Sequence, residues 1–219
     1  MNFYNCISFW RRKLTLLVSL LGLLPFLCKS SLMASNERPS ILWITAEDMS
    51  PVLGCYAHED AITPNIDKLA LESIKFTNAF ASAPVCSPSR SCLIQGALPP
   101  SMGTQHMRSG FSLPTSFIGF PALLRKNGYH TTNNVKTDYN SGNYQQIIKE
   151  SWDECSSSAH WRNNSDKKIP FFSVFNLMTS HQSRSMVWPY EKFQNEIQLK
   201  LREDQIHNPI KIKIPPYYP

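Results

Sequence analysis

The sequence predicts an α/β domain with a mostly parallel sheet and helices on both faces, and three observations carry that prediction. Ile41-Leu42-Trp43-Ile44-Thr45 is a continuous apolar run of the kind expected for a strand buried on both faces. Phe171-Phe172-Ser173-Val174-Phe175-Asn176-Leu177-Met178 is a second and stronger strand candidate. Between the two, helix and strand signals alternate, the pattern that builds layered sheets with crossover helices.

The elements follow in order. After the first strand, Thr63 is placed to cap a helix with Pro64 at its first position, and Ile66, Leu69, Ala70 and Ile74 fall on one face. Residues 75–80 read as a short strand. Ser87 is expected to cap the next helix, with Pro88 as its first residue and Gly96 marking its end. A further helix over 117–126 stops before Gly128, and a strand is expected over 129–135. Beyond the late strand, residues 182–219 are polar and carry Pro209, Pro215, Pro216 and Pro219, so they read as an excursion with at most one helix near 190–202. No internal repeat or low-complexity segment interrupts the chain.

Composition bounds the function. Arg11-Arg12-Lys13 followed by apolar residues 14–27 has the charged and hydrophobic regions of a secretory signal peptide, expected over residues 1–34, and is too short for a comfortable membrane span. The protein is therefore expected to be exported, periplasmic or secreted. Removing residues 1–34 takes away four cations and no acids, so the formal charge falls from +6 to +2. No Lys/Arg stripe with interleaved aromatics remains, which argues against nucleic acid as a partner. Cys55, Cys86, Cys92 and Cys155 then remain; no disulfide can be assigned among them, and no Cys-x-x-Cys pair suggests structural zinc. Asn163-Asn164-Ser165 is a glycosylation sequon where the source glycosylates secreted proteins.

The run Val85-Cys86-Ser87-Pro88-Ser89-Arg90 places a cysteine at a helix N-terminus. Free backbone N–H groups and the helix dipole make that position a cradle for a sulfate or phosphate oxygen. Arg90, one turn along, offers a fork of donors to an anion or to the group at position 86. In open parallel sheets ligands collect beyond the carboxyl ends of the strands, so the residues after each apolar run matter most. The first strand delivers Glu47 and Asp48, adjacent carboxylates suited to a hard divalent cation such as calcium. The strand ending near Val135 delivers Lys136, with Asp138 two residues on; the late strand delivers His181. A lysine there can stabilise charge on a transferring group, and a histidine has the intrinsic pKa range of a general acid. His106 is a candidate for lining the substrate pocket.

Cys86-x-Pro88-x-Arg90, with Pro84-Val85 before it and Leu93-Ile94-Gln95-Gly96 after it, resembles the active-site signature of the sulfatases. The resemblance runs from about residue 38 to His181 and departs from the family pattern at Gln95, at Glu47 where Asp is usual, and at Asp138 where His is usual. It implies an alkaline-phosphatase-like fold and oxidation of Cys86 by a maturation enzyme to formylglycine, whose aldehyde hydrate attacks sulfur with one hydroxyl and expels sulfate through the other. It further implies calcium held by Glu47, Asp48 and residue 86, and catalytic roles for Cys86, Arg90, Lys136 and His181. Lys136, His181 and His106 would contact substrate, a sulfated carbohydrate. The placing of His106 after the signature helix resembles the heparan N-sulfatase branch. Residues 35–181 would be the N-terminal part of the catalytic domain. The second acidic cluster of the family, Asp followed by Asn or His, is not found after His181, so the fold is expected to be incomplete at the C-terminus and poorly stable in isolation. Phosphonate and phosphodiester hydrolases share the signature and are the nearest other reading; an inactive glycan-binding remnant is the reading outside enzymes.

Overall fold

A computed structural model describes residues 38–211; the expected signal peptide over 1–34 and the prolines beyond 211 lie outside the described residues. Four strands, β1 (Ile41–Ala46), β2 (His130–Asn134), β3 (Glu154–Cys155) and β4 (Phe171–Leu177), form one sheet in the order β1-β4-β2-β3. Every pairing is parallel: Ile41 lies beside Phe172 and Ala46 beside Leu177, while His130 lies beside Phe171 and Asn134 beside Phe175. This register aligns the carboxyl ends of β1, β2 and β4, so Glu47, Lys136 and His181 leave the sheet on the same side.

The helices are α1 (Pro64–Leu71), α2 (Cys86–Gln95), α3 (Pro99–Met102), α4 (Phe120–Lys126), α5 (Tyr144–Ser151), α6 (Ser183–Met186) and α7 (Tyr190–Glu196). Side chains alternate along β4. Phe172 and Val174 enter the core with Ile94 of α2, Met102 of α3, Ile147 of α5 and Trp152, against which Trp43 and Phe120 pack. The Phe172 ring lies 5.2 Å from Phe120, 5.8 Å from Trp152 and 6.0 Å from Trp43, distances at which aromatic pairs attract beyond simple burial. Phe171 and Phe175 point the other way and meet the Trp161 ring at 5.7 and 5.5 Å.

Three local expectations are corrected. β1 is paired on one side only among the described residues, and Ile41, Leu42 and Ile44 are 36, 48 and 58 % exposed rather than buried. An apolar run reports suitability for burial, whereas its cover comes from elements elsewhere in the fold. Residues 75–80 form no strand: the chain bends at Thr77 and Asn78 and pairs with no sheet edge, and Lys75 donates to the Cys55 carbonyl. Ser87 does not cap α2. The helix starts two residues earlier than expected, at Cys86, and the fully buried Ser87 hydroxyl accepts from the Arg108 N–H at 3.3 Å. The far end of α2 is as expected: Gly96 takes a left-handed φ of 65°, and its N–H closes the helix on the Cys92 carbonyl.

Candidate active site

Cys86 occupies the first turn of α2, where the helix presents N–H groups without helical acceptors, and its thiol donates to Asp48 Oδ1 at 3.6 Å. Burial pushes the thiol pKa up; Asp48 and Glu47 add to this against the opposing pull of Lys136. As a cysteine, the residue is therefore protonated near neutrality and poorly suited to act as a thiolate nucleophile.

Glu47, 7 % exposed, is the centre of the site. Its Oε1 accepts from Arg90 Nη1 at 3.0 Å and its Oε2 from Lys136 Nζ at 2.6 Å, bringing α2 and the segment after β2 onto the end of β1. Asp48 adopts a left-handed φ of 51°, a conformation an aspartate tolerates, and accepts from the Gln182 N–H at 2.9 Å. His181 follows β4: its Nδ1 is 2.7 Å from Ser183 Oγ and its Nε2 is 3.9 Å from Asp48 Oδ2. Ser180 Oγ donates to the Glu47 carbonyl, tying the two strand ends together.

Arg90 does something other than expected. Its Nε donates to the Thr137 carbonyl at 2.8 Å, and its Nη2 donates both to the Lys136 carbonyl at 2.6 Å and to Asn176 Oδ1 at 3.0 Å. With Nη1 on Glu47, most of the donor fork is spent on the protein, so Arg90 braces Lys136 and Glu47 rather than presenting an open fork to an anion.

Asn176 is the residue that sequence reasoning missed. It is 8 % exposed; its Oδ1 accepts from Thr45 and Arg90, and its Nδ2 donates to Asn133 Oδ1 at 3.0 Å and to the Asn134 carbonyl at 3.1 Å. It therefore links β1, β4, β2 and α2 beneath the site. A signal was available: Phe172, Val174 and Asn176 share one strand face, and a polar residue ending a core-facing row needs partners there.

One expected residue, His106, and one departure from the family pattern, Asp138, stand apart. His106 is exposed, and it is its neighbour Met107 that lines the cleft with Glu47, Asp48, Cys86, Arg90 and Gln182. Asp138 opens onto a second cleft, which Lys136 also lines, with Arg108 and Tyr139.

Ligand atoms of Glu47, Cys86 and His181 lie within 4.8 Å of one another, a group able to hold a metal ion, and Asp48 adjoins it. Two carboxylates suit calcium, whereas a thiol suits softer metals; an oxygen-bearing residue at position 86 brings the set closer to a hard-cation site.

The family model described as Sulfatase matches residues 39–208. The chain is 38 % identical over 159 residues to an ulvan-active sulfatase of Formosa agariphila, covering 67 % of this chain and 26 % of that protein. It is 31 % identical over 171 residues to N-acetylgalactosamine-6-sulfatase of Rattus norvegicus, covering 70 % and 32 %. Among solved structures, BT4656 in complex with its substrate D-glucosamine-2-N,6-O-disulfate superposes with a TM-score of 0.56 at 21 % identity, over 69 % of this chain and 39 % of that one. The phosphonate monoester hydrolase of Agrobacterium radiobacter superposes with a TM-score of 0.54 at 18 % identity, over 71 % and 44 %, which is likeness of fold. The chain thus spans about a quarter to a third of the length of these two curated relatives. With the signature helix set against the ends of parallel strands and the family model covering most of its length, the chain belongs to the sulfatase family.

Proposed function

We propose that this chain carries the nucleophile half of a hydrolase that removes sulfate from a sulfated carbohydrate. The observation that supports this most strongly is the position of Cys86: at the N-terminus of a ten-residue helix, facing Asp48, with a His181 ligand atom within 4.8 Å and with Glu47, the neighbour that holds Lys136, beside it. Conversion of Cys86 to formylglycine by a maturation enzyme, together with calcium, would supply an activated hydroxyl nucleophile and a Lewis acid for the sulfuryl oxygens. Glu47, Asp48 and the residue at 86 would hold the ion, two hard oxygen donors flanking the modified side chain. Lys136, kept in place by Glu47, offers an ammonium to the charge on the transferring group. His181 is oriented through Nδ1 by Ser183, leaving Nε2 to give a proton to the leaving sugar oxygen. Arg90 and Asn176 hold this set in register. The relatives named for ulvan and for N-acetylgalactosamine 6-sulfate support a saccharide substrate. Among the described residues no helix is long and apolar enough to cross a membrane, and the N-terminal sequence supports an exported protein.

The test is release of inorganic sulfate from sulfated saccharides by the full chain co-produced with a maturation enzyme, beside matched phosphate esters. The reading expects sulfate release that Cys86→Ala abolishes. Faster turnover of the phosphate esters, or full activity of the Ala variant, contradicts it.

A further inference from the structure

We propose that Arg184, Trp188 and Lys192 form a second anion subsite beside the candidate active site, binding an anionic substituent on a neighbouring sugar of the saccharide. It rests on the sulfated-carbohydrate reading and specifies which saccharides that site prefers. The Met178 carbonyl accepts both the backbone N–H of His181 at 3.2 Å and Nε of Arg184 at 3.1 Å, so the turn that presents His181 also fixes the Arg184 guanidinium. The Arg184 N–H in turn donates to the His181 carbonyl at 2.9 Å.

Trp188 organises the cations. Its backbone N–H is held by the Ser183 carbonyl at 3.0 Å; the Arg184 guanidinium carbon lies 3.9 Å from the ring centre and Lys192 Nζ lies 4.5 Å from it. Both are cation–π distances, so one ring preorganises two positive charges whose mutual repulsion would otherwise spread them. The Nε bond leaves the Nη groups of Arg184 without a hydrogen-bond partner among the described residues, as is Lys192 Nζ. Glu196 faces this cluster, but Lys200 already holds it at 2.8 Å, so the cluster keeps an excess of positive charge. Tyr190, 68 % exposed, stands two residues from Trp188 and offers an apolar face to a sugar ring. A planar guanidinium with free Nη donors is the side chain best shaped for a sulfate or carboxylate, and a lysine at its side adds charge without demanding geometry.

The test is titration of the full chain with three disaccharides: one carrying a single sulfate, one carrying two, and one carrying one sulfate and a uronate carboxylate. Arg184→Gln/Lys192→Gln should weaken a doubly anionic probe about tenfold more than the singly sulfated probe, the difference expected for one charge-assisted contact. Lys192→Gln alone, which leaves the His181 turn untouched, should weaken it about threefold. Loss confined to the disulfated probe or to the uronate probe identifies the substituent. Equal binding of all three probes by the unsubstituted chain, or equal loss on all three in the variants, overturns the subsite while leaving the sulfated-carbohydrate reading intact. Binding of none of them overturns that reading as well.

Discussion

Two ion clusters sit at opposite ends of the parallel strands, and they are built on different principles. At the carboxyl ends, Glu47, Arg90 and Lys136 have side-chain exposures of only 8, 11 and 15 %, and come from three separate segments of the chain. At the amino ends, Arg125 pairs with Asp153 at 2.6 Å with exposures of 41 and 28 %, and His130 lies 3.7 Å from Asp153 and 3.4 Å from Glu154. The second cluster is scaffolding: Asp153 also accepts from the Thr131 N–H and hydroxyl, fastening the start of β3 to β2. The first removes three charges from water, which attraction between them scarcely repays, so stability alone is a weak reason for it. Its place at the strand ends, around Cys86, is where chemistry supplies the reason.

Substitutions sharpen this contrast. The largest effect is expected for Glu47→Gln, which leaves two buried cations facing a neutral amide and should cost about 3–5 kcal/mol in urea unfolding. A cost below that of the Asp153 variant would break the comparison. Asn176→Ala strands the Thr45, Arg90 and Asn133 partners and should cost about 1–3 kcal/mol, with turnover falling further than the stability loss explains because Arg90 no longer braces Lys136. Asp153→Asn should cost about 1 kcal/mol, the scale of a partly exposed hydrogen-bonded pair.

Asp153 also carries a pH signature. Burial alone would raise its carboxyl, but the Thr131 N–H and Arg125 outweigh it and hold the folded-state pKa below the usual aspartate range. A lowered folded pKa stabilises above the unfolded value and is lost as pH falls through the folded one. Unfolding followed from neutral to strongly acidic pH should therefore show a loss that Asp153→Asn removes. The smallest effect is expected at Glu196→Gln, an exposed partner of Lys200, where no measurable change in thermal unfolding is predicted.

What was legible in the sequence follows the same division. The strand-end residues Glu47, Asp48, Lys136 and His181 could be read because a parallel sheet brings the residues after its strands to one edge whatever the details of packing. Gly96 could be read because the end of α2 requires a left-handed residue. Cover could not: Leu42 and Ile44 have the composition of buried residues, and nothing local states whether another element lies over them. Nor could the spending of donors. Arg90 looked free to bind an anion because its acceptors, the carbonyls of Lys136 and Thr137 and the amide of Asn176, lie 46 to 86 residues away. Asn176 itself was hidden by reading its strand as one apolar run instead of two alternating faces.

The claim on which the account rests is the fate of one side chain. Mass analysis of the peptide spanning residues 82–90, taken from the full chain co-produced with a maturation enzyme, measures it directly. The account predicts an aldehyde at position 86, captured by a hydrazide reagent. An intact thiol there, in cells that convert another sulfatase, would contradict it.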